Sequence, residues 1–259
     1  MIKLTGAEIE LYEAGHGKPL LYLHGPEGFA TGDAFVPLLA ARRHLLAPWH
    51  PGFGRSELPD WLDTPDDIAY LYLELLDRLG LQTVDIVGAS LGGWIAAEMA
   101  TKEPQRVSKL VLVAPVGVKT GPVEMLDIPD IFAMPQSNVN QLLFHNPEKF
   151  RFDPSQHSDE ELTSFVRSRE TLALLVWEPW MHNPKLKHRL ARATMPTLFL
   201  RGQSDGLVSA DYLERYAALL QQARIETIAE AGHALPVEQP EAFAEHVLRF
   251  LDAEEERAA

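Results

Sequence analysis

A mostly parallel α/β fold follows from three observations in the sequence. Short apolar runs recur at Leu20 to Leu23, Leu45 to Trp49, Val84 to Val87, Leu110 to Val113, Pro196 to Leu200 and Ile225 to Ile228. Through the first half of the chain these runs are mostly apolar rather than alternating, as strands covered on both faces must be. Segments with helical period separate them, and strand, helix, strand in that rhythm implies right-handed crossovers.

The elements follow in order. Leu20-Leu21-Tyr22-Leu23 reads as a buried strand ending at His24-Gly25, with a helix expected over about 33–43 and a strand from Leu45 that breaks at Pro51-Gly52. Thr64-Pro65-Asp66-Asp67 is a strong helix start, combining a Thr N-cap, Pro at the first position and acids in the first turn. Ile68, Leu71, Tyr72, Leu75, Leu76 and Leu79 then keep an apolar stripe to Gly80. A strand at Val84 leads into a helix over about 90–102 and a further strand at Leu110. After Val118 the rhythm stops. Up to about Arg192 the chain offers no convincing strand, only helical fragments such as Glu160 to Val176. The rhythm resumes at Pro196, with a helix over about 210–220, a strand at Ile225 and a last helix from Pro240 to Leu251. Residues 1–117 and 193–259 are thus expected to form one core domain, with 118–192 inserted as a helical lid. The acidic end, Asp252 to Glu256, reads as a solvated tail.

Bulk properties exclude several classes of function. With 23 basic and 37 acidic residues the formal net charge is −14, which repels polyanions and argues against nucleic acid and anionic membrane surfaces as partners. There are no cysteines, so disulfides, thiolate catalysis and thiolate metal sites are absent. The first residues, Met1-Ile2-Lys3-Leu4-Thr5-Gly6, carry no signal-like apolar region, and no apolar run approaches the roughly 20 residues that span a bilayer. A cytoplasmic protein acting on a small molecule, with a homodimer allowed, is the expectation. The histidines show neither H-x-H nor H-E-x-x-H spacing, so no metal and no cofactor is expected.

Gly88-Ala89-Ser90-Leu91-Gly92 matches G-x-S-x-G, entered by a buried strand and left by an Ala-rich helix. Such a turn is sharp enough to expose the serine oxygen, and glycines on either side avoid the clash. A serine hydroxyl needs a base to take its proton, and the base needs an acid to orient it. Asp205, after the strand at Leu198 to Leu200, and His233, after the strand at Ile225 to Ile228, both follow strand ends where open α/β sheets place their sites. Each alone reads equally well as a turn residue; three in the order Ser, Asp, His after three separate strands do not.

These residues, with His24-Gly25, Pro51-Gly52-Phe53-Gly54-Arg55-Ser56, Pro196 to Gly202 and Gly232-His233, make the chain resemble the α/β-hydrolase fold family, in its capped form. The resemblance covers about 20–251 and is weakest in the insertion. It implies Ser90 as nucleophile, His233 as base, Asp205 as orienting acid, and an oxyanion hole built from the N–H of Leu91 plus one from the loop after His24-Gly25. Pro26 stands in that loop and has no N–H. The second donor is therefore Glu27 or Gly28, with Gly28 preferred for its close backbone approach. His24 and His50 read as structural, and Pro51 to Ser56 as a family turn, since it lacks the Lys of a phosphate loop.

In the insertion, Trp177, Trp180, Met181 and His182 are candidates for the substrate pocket, with packing of the lid as their other reading. Phe132, Met134, Phe144 and Phe152 are equally open. Arg167 or Arg169 would meet a substrate carboxylate if not engaged in surface pairs. The activity expected first is a carboxylesterase, hydrolysing a small ester through an acyl-enzyme. The resemblance allows a second, C–C bond hydrolysis of vinylogous diketones, and a third of another class, a non-catalytic small-molecule receptor.

Overall fold

The computed structural model describes residues 1–150 and 153–253. Its main sheet has seven strands: β3 (Leu11–Ala14), β4 (Pro19–Leu23), β5 (His44–Pro48), β6 (Val84–Ala89), β7 (Val107–Val113), β8 (Thr197–Gly202) and β9 (Ala223–Ile228). They lie in the order β3-β5-β4-β6-β7-β8-β9, and every neighbouring pair is parallel except β3 against β5. A small antiparallel pair, β1 (Ile2–Leu4) and β2 (Ala7–Ile9), precedes it. The strands over 2–14 were not legible in the sequence, because three or four residues at an edge carry no usable period.

Alternation along each strand divides the core between two faces. Leu21 and Leu23 of β4, Ile86 of β6, Leu110 and Leu112 of β7 and Phe199 of β8 join one cluster. They pack with α2 (Pro65–Arg78), α3 (Leu91–Lys102) and α6 (Ala210–Ala217). Leu20 and Tyr22, Val87, Val111 and Val113, and Leu198 and Leu200 point the other way, against α1 (Phe35–Ala40) and α8 (Pro240–Asp252). The central strands β4, β6, β7 and β8 are buried on both faces, which is why they read as mostly apolar runs, whereas the edge strand β9 is only partly covered.

The expected start of α2 is present in full: Thr64 accepts from Asp67 N–H at 3.2 Å while the Asp67 carboxylate reaches back to Thr64 N–H at 3.1 Å. α1 is shorter than the 33–43 expected, since the chain must rejoin the sheet at His44, whose N–H donates to Lys18 O. Asp252 is no free tail residue. It ends α8 paired with Arg42 and Arg43, each at 2.6 Å. Residues 254–256 of the expected tail lie outside the described residues, as does Phe152.

Between β7 and β8 the described residues contain no strand, but α4 (Gln136–Leu143), α5 (Asp159–Val176) and short 3₁₀ turns. Gly117 and Asn183 bracket this segment: Gly117 N–H donates to Met181 O and Asn183 N–H to Gly117 O, both at 3.0 Å. No helix among the described residues is long and apolar enough to cross a membrane.

Candidate active site

β6 delivers Ser90 at its carboxyl end into a turn with φ 52° and ψ −110°, a left-handed conformation that a side chain rarely adopts. The strain is held from both sides. Ser90 N–H donates to Val113 O at 2.9 Å, and Trp94 N–H caps Ser90 O at 3.1 Å. The flanking glycines leave no room: a Cβ on Gly88 would lie 2.3 Å from Gly92 O, and one on Gly92 2.1 Å from Leu23 O. Close packing of the turn between β4 and α3 is thus what requires glycine there.

His233 follows β9 and Asp205 follows β8. Ser90 Oγ lies 2.9 Å from His233 Nε2, and His233 Nδ1 lies 3.1 Å from Asp205 Oδ2. The second oxygen, Asp205 Oδ1, accepts from Leu207 N–H and Val208 N–H at 2.9 and 2.8 Å, so the carboxylate is oriented by backbone. A carboxylate only accepts, so Nδ1 carries the proton and Nε2 is free to accept from Ser90. Ser90, Asp205 and His233 are all buried. Burial pulls the His233 pKa down, but the Asp205 charge and hydrogen bond, helped by Glu27, outweigh it and leave it raised.

The insertion reaches the loops that carry this line. Gly206 N–H donates to Leu142 O, and Ala234 N–H to Leu143 O, both at 3.0 Å. Glu238 accepts from Gly232 N–H at 2.6 Å and from His145 N–H at 2.9 Å, and His145 Nδ1 meets Ser204 Oγ at 2.8 Å. Residues 142–145 are therefore strapped across both the Asp205 and His233 turns. No sequence signal marked them, because backbone carbonyls carry no residue type.

Leu91 opens α3, so its N–H has no acceptor within the helix and lies beside Ser90. The facing loop departs from expectation. Gly28, the preferred second donor, spends its N–H on Gly25 O at 3.0 Å, closing the turn 25–28. Its φ of 76° and the Trp49 ring, 2.4 Å from where a Cβ would stand, explain the glycine without an oxyanion role.

His24 and His50 support this loop from below as neutral rings stacked 3.8 Å apart. His24 Nε2 accepts from His50 N–H at 2.9 Å, so its Nδ1–H donates to Gly25 O at 2.6 Å. His50 Nε2–H donates to His24 O, leaving Nδ1 to accept from Tyr72 OH at 2.6 Å. Burial lowers His24 to about 4, and burial together with His24 lowers His50 well below its ordinary value. Arg167 is also structural, donating to Gly54 O and Ser56 O at 3.0 and 2.7 Å. Arg169 instead lies over the Phe132 ring and acts electrostatically on Glu27.

The four aromatic-cluster candidates have other neighbours than Ser90. Trp177 is exposed and packs edge-on against Trp180, whose Nε1–H donates to Ile128 O at 2.9 Å. Met181 is buried in the core, and His182 Nδ1 meets Trp180 O. Trp180, Met181 and His182 line a small cavity of about 80 Å³ with residues of 118–128, and no member of the Ser90 line is in its walls.

A strained serine joined through histidine to a buried carboxylate, at the carboxyl edge of a parallel sheet, has the geometry that nucleophilic-serine hydrolases use. The chain belongs to the alpha/beta hydrolase family, whose model matches residues 16–246. It is 30% identical to the 2-hydroxymuconate semialdehyde hydrolase of Pseudomonas sp. strain CF600 over 98% of this chain and 94% of that one. It is 28% identical to the 2-hydroxy-6-oxo-2,4-heptadienoate hydrolase of Pseudomonas putida, over 98% and 96% of the two chains. The structure of a meta-cleavage product hydrolase from Pseudomonas fluorescens IP01 superposes with a TM-score of 0.74 at 22% identity, covering 95% of this chain and 94% of that one.

Proposed function

We propose that this chain is a serine hydrolase that cleaves a C–C bond in 2-hydroxy-6-oxo-dienoate substrates. The observation that carries the hydrolase chemistry is the hydrogen-bonded line Ser90, His233, Asp205 on a strained turn. The substrate class is supported by relatives matching nearly the whole chain and named for such dienoates. In this reading Ser90 Oγ adds to the C6 carbonyl and its proton passes to His233 Nε2. With the dienol ketonised, its 2-hydroxyl proton moved to C5, the C5–C6 bond then breaks. Its electron pair passes through C3=C4 to the C2 oxygen, that dienolate takes the proton from His233, and the acyl group stays on Ser90. Water, deprotonated by His233, releases the acid and restores Ser90. Asp205 holds the imidazole tautomer and stabilises its charged form. The insertion over 118–192 acts as the lid on the site, and no metal or cofactor takes part.

A small neutral ester is the second reading, favoured by the charges around the nucleophile. Arg167 is committed to backbone carbonyls and Arg169 hydrogen-bonds Gln136. With both engaged, neither is free for a substrate carboxylate, which favours a neutral ester. A panel of 6-alkyl-6-oxo-dienoates and short p-nitrophenyl esters, run on the wild type and Ser90→Ala, separates the two. Dienoate turnover is expected, with kcat falling on the order of 10⁴-fold or more in Ser90→Ala. Turnover of the esters alone would replace the first reading by the second. Turnover of neither, with no Ser90 adduct from a fluorophosphonate, would remove both and favour a receptor.

A further inference from the structure

The residues around His233 are each held by a hydrogen bond to another part of the chain. Ala231 O accepts from Ser204 N–H of the acid turn at 2.8 Å, and Ala234 N–H donates to Leu143 O of the insertion at 3.0 Å. Between them, Gly232 N–H donates to Glu238 Oε2 at 2.6 Å. Of these three contacts only the last depends on a side chain. The other oxygen, Glu238 Oε1, accepts from His145 N–H at 2.9 Å and from Asn146 N–H at 3.2 Å, both in the insertion. One carboxylate thus gathers three backbone amides from two segments far apart in the chain.

The turn that carries His233 needs this support. Glu230, which opens it, has a φ of 52°, in the left-handed region that side chains avoid. Gly232 is buried, and a Cβ there would stand 2.5 Å from Leu143 O and 2.9 Å from His145 N. A buried amide left without its acceptor costs about 1–3 kcal/mol, so removing the carboxylate favours a shifted turn. Glu238 is itself held, ending the short helix α7 (Leu235–Glu238) with its N–H on Ala234 O at 3.1 Å.

We propose that Glu238 is a positioning residue for His233: its carboxylate, shared between Gly232 N–H and the amides of His145 and Asn146, sets the imidazole between Ser90 and Asp205 and makes that setting depend on how the insertion is seated. The inference rests on His233 being the base that activates Ser90. Glu238 acts through one peptide unit, Gly232-His233, and what it protects are the imidazole hydrogen bonds at 2.9 and 3.1 Å. Misplacing such a line by about 1 Å costs on the order of 10²-fold in rate. Burial lowers the His233 pKa, while Asp205 from the turn after β8 and Glu27 from the loop after β4 raise it by more. An imidazole that slips from Asp205 loses most of that lift. Ser90 reacts when Nε2 is unprotonated, so the rise of its reactivity with pH then moves to lower pH.

The test is the rate at which a fluorophosphonate labels Ser90 in the full chain across pH 5 to 9, well below the thermal unfolding temperature of each variant. Glu238→Ala is expected to label on the order of 10²-fold more slowly, with its rise displaced to lower pH. Glu238→Gln keeps one oxygen, enough for Gly232 or for the insertion but not for both, and should fall between Glu238→Ala and wild type. Should Glu238→Ala fail to fold, Glu238→Gln carries the same two readouts. His145→Pro removes one amide of the insertion, and should label several-fold more slowly than His145→Ala, which loses only the ring contact to Ser204 Oγ. A purely structural Glu238 would lower the unfolding temperature and leave rate and pH midpoint alone, and that result overturns the proposal. A slower rate with an unmoved midpoint overturns it too, and equal rates in the two His145 variants overturn the part played by the insertion. Absence of any Ser90 adduct in the wild type is the separate failure, that of the hydrolase reading itself.

Discussion

The two walls of the site are built on opposite principles. The nucleophile turn, Gly88 to Gly93, is fixed by backbone crowding: a Cβ on Gly92 would sit 2.1 Å from Leu23 O and 2.6 Å from His24 O. The facing loop, Gly25 to Gly28, is closed by one hydrogen bond and rests on side chains, the Trp49 ring and the paired His24 and His50. Rigid backbone aims Ser90; adjustable and titratable side chains line the other wall. A wall made of backbone tolerates no change, whereas one made of side chains can yield or be retuned.

Glycine substitutions test that contrast directly, and the largest effect should come from Gly92→Ala. The added methyl meets backbone atoms of β4 that cannot move without breaking the sheet, so a destabilisation on the order of 3 kcal/mol or more is expected, read as the urea midpoint. A Gly92→Ala protein of wild-type stability would show the turn to be less constrained than its geometry implies. Gly28→Ala should cost less, about 1–2 kcal/mol, from its positive φ and from displacement of the Trp49 ring. If Gly28→Ala proved the more damaging, the two walls would have to exchange roles.

The smallest effect is a silence. Because burial holds His24 near 4 and His50 well below its ordinary value, both rings should stay neutral at pH 6, where a free histidine is mostly charged. Ring ¹⁵N shifts should show His24 protonated on Nδ1 and His50 on Nε2, unchanged down to pH 6. His233, raised by Asp205 and Glu27, should titrate above that range. Titration of His24 in step with His233 would mean that the loop lacks its neutral support.

The parts of the site that could be read from the sequence are those that strands deliver. Ser90 and Asp205 each follow a buried strand and His233 follows the edge strand β9, and a residue so placed on a parallel sheet must emerge at its carboxyl edge. Donors and pockets are different. Whether Gly28 or Glu27 offers an N–H depends on how the 25–28 turn closes, and either hydrogen bond fits the same residues. Trp177, Trp180, Met181 and His182 are amphipathic residues in a segment without period, so their sequence does not say which way they face.

By itself, then, the sequence determined the parallel strands of the sheet, the helix start at Thr64, the nucleophile turn and the order of its three polar residues. Each rests on local periodicity or on a steric demand confined to neighbouring residues. Only the tertiary structure decided what Gly28 donates to, where Arg167 and Asp252 are bound, and that Leu142 and Leu143 strap the acid and histidine turns. Those contacts depend on how a turn closes or on which distant residues the fold brings together, and no local pattern of side chains encodes them.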